Sequence, residues 1–419
     1  MKTAIAFVLT ALCAMTACAS RTAQREAPVS VAPYSLDGAE LDAEVARLMG
    51  AAKVPGLALA VIRDGRIRHL RAYGRRDIAR DLPLQDDTVM YGASLTKATF
   101  ATLVMTLVAD GTLDLDKPVA DYLPKPLPDY PDYADLAGDS RWRAITARML
   151  LSHTSGFPNW RFFTPKGYDE TGKLDIATDP GSTYAYSGEG IQLLQFVLET
   201  GLQLDIRALM RERIFQPVGM RHTDMLWQPA YAGNATVGYL ADGSPVPHDQ
   251  QDNVRAAGSM DTSISDYAHF LQALVNGRVL SASTLDAMLT PQVAIDSIQQ
   301  FPTRGMPKTA DNVGIGLAYG LGWGLFRTPR GEAFFKEGHN DSTSNYALCI
   351  PKARDCVLLM SNSANAEGIF KYLVDATLGE TCLPWFWEAY IPYDKPEWGK
   401  SDAPSRPHSP CAAMASPGT

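Results

Sequence analysis

Two side chains in this sequence have the types and spacing to make a nucleophile out of a hydroxyl. Ser94 and Lys97 stand three residues apart in Tyr91-Gly92-Ala93-Ser94-Leu95-Thr96-Lys97, so on a helix they share a face and can hydrogen-bond. A free serine does not ionise at neutral pH, and a nearby group must lower the cost of removing its proton. Alone, such a pair is more often a helix cap followed by a surface lysine. Here it is the only Ser-x-x-Lys in the chain, and it falls where a helix should begin, so that the helix dipole favours developing negative charge. Two other segments offer partners: Tyr184-Ala185-Tyr186-Ser187-Gly188 and Phe334-Phe335-Lys336-Glu337-Gly338-His339. In isolation Tyr186 would be a core aromatic and Lys336 a solvated charge on an edge strand. Brought together, Lys97 and Lys336 would disfavour each other's protonation and stabilise a phenolate on Tyr186. That phenolate could take the Ser94 proton and return it to a leaving group. No Gly-x-Ser-x-Gly elbow is present, so a Ser-His-Asp arrangement of that kind is not implied.

The elements that must position these groups are readable from periodicity. Gly56 to Ile62 is an apolar, strand-like run, and Asp64-Gly65 after it suits a hairpin turn. From Ser94 the pattern becomes helical, with Phe100, Leu103, Val104, Leu107 and Val108 forming an apolar stripe that ends at Gly111. Strand character returns at Gly320–Leu325, Asn345–Ile350 and Cys356–Met360. Strands near both termini with helices between them predict an α/β (α+β) fold: an antiparallel sheet made by both chain ends, flanked by helices, with a mostly helical insertion. The expected boundaries are a sheet subdomain over about 34–93 and 310–375, a helical subdomain over about 94–309, and one folded domain over 34–390.

Composition narrows the function classes. The chain has 419 residues, 46% hydrophobic and 20% charged, enough for one large core or two packed subdomains. A net charge of -8, with no basic block, argues against nucleic-acid binding. Lys2 followed by apolar Ala4–Thr16 reads as an export signal over residues 1–18, too short to span a bilayer. Met15-Thr16-Ala17-Cys18 resembles a lipobox, which would leave a lipidated Cys18 anchoring the protein to a membrane; Ala17-Cys18-Ala19 also suits ordinary signal cleavage. Either outcome predicts an exported protein, periplasmic or membrane-anchored. Residues 19–33 read as a linker and 395–419 as a flexible tail. Cys349 and Cys356 flank a short turn containing Pro351, so they could pair across a hairpin or remain two buried thiols. No metal site is expected, because no Cys-x-x-Cys occurs and the seven histidines are scattered. No nucleotide loop is present and no cofactor is implied.

Over roughly residues 40–375 the chain resembles the class C β-lactamase-like branch of the penicillin-recognising serine hydrolases, which also holds D,D-peptidases, D-aminopeptidases and family VIII carboxylesterases. The resemblance is carried by Ser94-Leu95-Thr96-Lys97, Val54-Pro55-Gly56, Gly111 to Asp116, Leu150 to Gly156, Pro180-Gly181-Ser182, Ile214 to Met220, Ala256 to Met260 and Tyr319 to Gly324, in the family's order. It implies a β-lactamase/transpeptidase-like fold, with Ser94 as nucleophile, Lys97 as its proton partner, Tyr186 as general base and acid, and Lys336 as the lysine of the third motif. Lys336 takes that place because its spacing to Pro351 fits the family's strand and turn; His339 is the weaker register. The backbone N–H groups of Ser94 and His339 would form the oxyanion hole, with Gly338, Glu337 and Gly188 beside the substrate.

Two departures from the family pattern bear on the substrate. Tyr186-Ser187-Gly188 stands where the family usually has Tyr-x-Asn, so the asparagine amide that holds a substrate's side-chain amide is missing. Lys336-Glu337-Gly338 stands where Lys-Thr-Gly or His-x-Gly is usual, and a glutamate there would oppose a substrate carboxylate unless it points away or is neutralised. Both weigh toward esters or amides of small molecules, or substrates with a free amine. β-Lactams and cell-wall peptides remain the alternative substrates, and a non-catalytic cell-wall binding protein the alternative class. Trp160, Tyr184 and Trp323 are candidate cleft aromatics or core residues. His153, among leucines, is expected to be structural.

Overall fold

The computed structural model describes residues 36–399, apart from Pro165 and Lys166. The expected export signal, Cys18, the linker and Cys411 lie outside the described residues, as does the tail from Lys400 onward.

The centre of the fold is a nine-stranded antiparallel sheet. Its strands, in chain order, are β1 (Gly56–Arg63), β2 (Arg66–Asp77), β3 (Leu82–Pro83), β4 (Val293–Ala294), β5 (Ala318–Tyr319), β6 (Gly324–Thr328), β7 (Gly331–Asn340), β8 (Thr343–Ile350) and β9 (Asp355–Ser361). In space they run β4-β5-β6-β7-β8-β9-β1-β2-β3, so the two ends of the chain meet where β1 pairs with β9, Leu57 opposite Ser361 and Ile62 opposite Cys356. The β1–β2 hairpin turns at Asp64 and Gly65, both with positive φ (48° and 71°), the backbone that a two-residue turn requires and that this pair tolerates. Between β8 and β9, Cys349 and Cys356 face each other with Cα atoms 4.1 Å apart and form a disulfide.

Alternation along the strands sorts their side chains into two apolar layers. Leu57, Leu59 and Val61 of β1 pack with α1 (Gly38–Ala52) and α5 (Glu367–Leu378) through Leu41, Val45, Leu48, Ile369, Phe370 and Leu373. Ala58, Ala60 and Ile62 face the other way, toward α2 (Leu95–Ala109) and α4 (Ile264–Val275). Helix α3 (Gly188–Gly201) packs its Ile191, Leu193, Leu194, Val197 and Leu198 into that second layer. The sheet is thus covered on both faces, which is why β8 and β9 are buried along their whole length rather than at alternate residues.

Helix α2 differs from its sequence-based reading. It is buried on nearly every side, not along one stripe. Thr96, Thr99 and Thr102 are accommodated there because their hydroxyls donate to the carbonyls of Ala93, Leu95 and Ala98 at 2.6, 3.0 and 2.9 Å. A helix enclosed in this way holds whatever it carries at its N-terminus in a fixed place.

Candidate active site

Ser94 stands at the N-terminus of α2, its side chain free of any capping bond to the helix. The residue before it, Ala93, is held at φ 46°, a conformation that costs an alanine about 1 kcal/mol or more. The strained turn is pinned from two sides: Gly92 N–H donates to Met260 O at 2.9 Å, and Asn345 Nδ2 of β8 donates to Tyr91 O at 3.0 Å. The amides of Leu95, Thr96 and Lys97 are taken up by Gly92, Ala93 and Ser94 carbonyls, each at 3.1 Å, whereas the Ser94 N–H donates to nothing among the described residues. Strand β7 runs directly past that free donor. A Cβ on Gly338 would lie 2.8 Å from Gly92 O, 2.9 Å from Leu95 N and 3.1 Å from Ser94 N, so only glycine permits this approach.

One helical turn on, Lys97 Nζ donates to Ser94 Oγ at 2.9 Å and to Ala257 O at 2.5 Å. Its side chain is enclosed, at 2% exposure. Burial, reinforced by the Lys336 charge, drives its pKa well below the ordinary lysine value. The Tyr186 ring lies between the two amines, its centre 5.1 Å from Lys97 Nζ and 4.9 Å from Lys336 Nζ. Its hydroxyl accepts from Lys336 Nζ at 3.2 Å, and the nearby Ser94 side chain eases its ionisation. All four residues named from the sequence therefore come together in one cluster.

Their electrostatics differ from the expected phenolate. Burial first, and the Glu337 carboxylate second, push the Tyr186 phenol well above its ordinary pKa. Glu337 is the reason the Lys336 charge does not prevail: its Oε1 accepts from Lys336 Nζ at 2.5 Å and from Gln300 Nε2 at 3.2 Å. Burial opposes ionisation of Glu337, but Lys336 overcomes it and the carboxyl pKa is lowered. Burial lowers the Lys336 pKa, with Glu337 acting against it. The site thus pushes the lysine amines toward their basic forms, Lys97 the further of the two, and not the tyrosine. Glu337 also does not stand as an uncompensated charge against a substrate carboxylate, since Lys336 neutralises it.

Tyr186 owes its place to His153. This residue sits at φ 56°; its carbonyl accepts from Ala185 N at 2.8 Å, and its Nδ1 accepts from Ser187 N at 3.1 Å. Its ring stacks at a tilt on Tyr186 with centres 4.4 Å apart. Burial, then the Lys336 and Lys97 charges, lower its pKa far enough to keep it neutral, and acceptance at Nδ1 puts the proton on Nε2. Ser187 then caps α3, its Oγ accepting from Gly190 N at 2.9 Å. His153 is structural as expected, but what it structures is the tyrosine.

The cleft in front of Ser94 has a volume of about 700 Å³. Ser94, Lys97, Tyr186, Glu337, His339, Trp160 and Arg255 border it, along with Phe162, Phe163 and Tyr168 at a small two-stranded hairpin whose aromatic side chains are exposed. A second cavity of about 1350 Å³ shares the wall formed by Trp160, Phe301 and His339. Of the three candidate cleft aromatics only Trp160 lines this space. Trp323 is fully buried against Phe334, their ring centres 4.8 Å apart, and Tyr184 is buried behind Tyr186 beside Tyr319. Gly188 lets Trp160 in: a Cβ there would fall 2.7 Å from the indole. The ring therefore occupies the ground where an asparagine side chain would project. The His339 side chain borders the cleft and its Nδ1 meets Glu367 Oε1 at 2.5 Å. Burial disfavours its protonation, but Glu367 outweighs that and raises its pKa.

The sequence reading passed over Glu388, Glu367, Gln300 and Arg255. Glu388 alone carried a signal: it is an acid set among aromatics in Trp385-Phe386-Trp387-Glu388-Ala389-Tyr390. No group of three His, Cys, Asp or Glu side chains placed to hold a metal occurs among the described residues.

A serine on a helix N-terminus, hydrogen-bonded to a buried amine and set beside a phenol against an inner strand of an antiparallel sheet, defines a serine hydrolase of the penicillin-recognising type. The chain matches the family Beta-lactamase over residues 41–378 and belongs to that family. Among curated relatives it is 28% identical to penicillin-binding protein 4 of Amycolatopsis lactamdurans, across 82% of this chain and 90% of that one. It is 26% identical to the unguisins hydrolase ungD of Aspergillus violaceofuscus, across 83% of this chain but only 63% of the relative's length. It is 29% identical to esterase EstB of Burkholderia gladioli, across 53% of this chain and 60% of that one. Among solved structures, D-alanine carboxypeptidase AmpC of Burkholderia cenocepacia superposes with a TM-score of 0.62 at 21% identity, covering 80% of this chain and 97% of that one. The octameric penicillin-binding protein homologue of Pyrococcus abyssi gives 0.65 at 21% identity, covering 83% and 78%. These two show the shared fold.

Proposed function

We propose that this chain hydrolyses esters or amides of small molecules through an acyl-enzyme on Ser94. The observation that carries the proposal is the 2.9 Å contact between Ser94 Oγ and the buried Lys97 amine. As a neutral amine, Lys97 accepts the Ser94 proton while Oγ bonds to the substrate's carbonyl carbon. The oxyanion that forms is met by the free Ser94 N–H and by the N–H of His339 on β7. As the bond to the leaving group breaks, Tyr186 gives that group its phenolic proton. The resulting phenolate is held by Lys336 and reprotonated from Lys97. Water then attacks the acyl carbon, its proton passing to Lys97, and Ser94 leaves with a proton from the same amine. Acylation and deacylation each return the cluster to its starting protonation.

Substrate preference follows from the two departures. Trp160 packed on Gly188 leaves an apolar wall where a side-chain amide would be held. No hydroxyl stands at Glu337 to meet a carboxylate. Both features favour acyl groups that need neither contact, over penicillins and cephalosporins. Purified protein starting at residue 34 should hydrolyse p-nitrophenyl butyrate faster, in kcat/KM, than a chromogenic cephalosporin. Cephalosporin turnover above that of the ester would reverse the preference. A fluorophosphonate should label wild-type protein and leave Ser94→Ala unlabelled; an unlabelled wild type would instead favour a non-catalytic, ligand-binding role. We also propose that the protein is exported through residues 1–18. Mass spectrometry of the mature N-terminus distinguishes a lipidated Cys18 from simple cleavage, and an intact Met1 in the native host would refute export by this route.

A further inference from the structure

We propose that Glu388 is the amine-binding group of the Ser94 cleft, so that the preferred acyl group carries an ammonium. The inference rests on the hydrolase reading and adds the substrate class. Glu388 borders the cleft, is 2% exposed, and neither of its carboxyl oxygens has a hydrogen-bond partner among the described residues. Buried carboxyls are almost always paired, because an unmatched one loses hydration without compensation.

The cations nearby are already engaged. Lys336 is taken by Glu337, His339 by Glu367, and Arg255 reaches Gln251. Glu388 therefore faces two carboxylates whose charges are matched and has no cation of its own. Burial and the Glu337 charge hold its pKa well above the ordinary carboxyl value. An incoming ammonium would supply the missing partner and let Glu388 ionise.

The placement is built rather than incidental. Glu388 sits on a tight turn in which Trp387 N and Glu388 N donate to Pro384 O at 2.9 and 3.4 Å and Tyr390 N donates to Trp385 O at 3.0 Å. Trp385, Trp387 and Tyr390 anchor that turn in the apolar layer under α5. It lies past residue 378, beyond the segment matched by the family, so it is supplied by this chain's own C-terminal extension.

The test compares thiobenzyl esters of D-alanine, L-alanine and propionic acid, identical but for the amine, each kcat/KM divided by the ester's hydroxide-catalysed rate. Wild type should prefer one alanine ester over the propionyl ester by at least tenfold, and Glu388→Gln should reduce that preference at least tenfold. A preference unchanged in Glu388→Gln would mean that the group acts as a neutral donor, which glutamine preserves, and would overturn the proposal. Equal losses on all three esters would overturn it too, since they indicate a purely structural role. If wild type turns over none of the esters and resists the fluorophosphonate, it is the hydrolase reading that fails. If it cleaves the propionyl ester as well as both alanine esters, only the amine site fails.

Discussion

Replacing Gly338 with alanine isolates the contribution of the strand that passes the nucleophile. The new methyl would stand 2.8, 2.9 and 3.1 Å from three backbone atoms of the Ser94 turn. None of them belongs to a flexible side chain, and the turn is fixed at Gly92 and Tyr91, so β7 itself must retreat by about half an ångström to restore ordinary contact. Oxyanion donors act at about 2.7–3.1 Å, and loss of one costs on the order of 10²–10³ in kcat. A half-ångström retreat carries the His339 N–H out of that range, so kcat should fall about 10²-fold while KM changes little. The same strain should cost about 1–3 kcal/mol of stability. Steady-state kinetics with p-nitrophenyl butyrate, alongside thermal unfolding, measure both effects. A kcat within threefold of wild type, or a loss confined to KM, would refute the idea that this close approach assembles the oxyanion site.

Glu337→Gln should move the acidic limb of the kcat/KM profile toward lower pH. The Glu337 charge raises the Lys97 pKa, so removing it leaves the amine deprotonated over a wider range, and a limb that moves upward would contradict Lys97 as the base. Gly188→Asn should lower activity by tenfold or more, because its Cβ meets the Trp160 indole at 2.7 Å. Adding Trp160→Ala should recover most of the loss, and failure of the double variant to recover in kinetics would show that the indole is not the obstacle. Replacing Cys349 and Cys356 by alanine removes a crosslink spanning seven residues and should destabilise the protein by about 2 kcal/mol. Denaturant titration would read this as a lower midpoint, and an unchanged midpoint would deny the bond any role in stability.

Ser94 and Lys97 could be paired from local signals because they share a helix face, whereas Tyr186 and Lys336 were placed by resemblance to the family's second and third motifs. The sheet could be inferred because apolar runs bracket both ends of the chain. The charge balance could not. Whether Tyr186 is phenol or phenolate depends on Glu337 lying 2.5 Å from Lys336, and a sequence does not show which way neighbouring side chains on a strand turn. Tyr184 and Trp323 went to the core for a similar reason: aromatics beside a motif share its neighbourhood in sequence but not its exposure. His153 meets the Tyr186 segment across 32 to 34 residues of chain and Glu388 borders the cleft from a distant turn, and no periodicity links either to the site.

The pairing of β1 with β9 joins residues about three hundred positions apart, and β7, which brings Lys336 to Ser94, lies inboard of that seam. A ribosome or translocation pore releases Ser94 long before it releases either late strand. The nascent chain consequently carries its nucleophile unarmed through most of its synthesis, and long-range closure of this kind folds slowly. Any truncation before Ser361 would leave a serine without its lysine partner strand held in register, which makes synthesis through β9 the event that assembles the cluster.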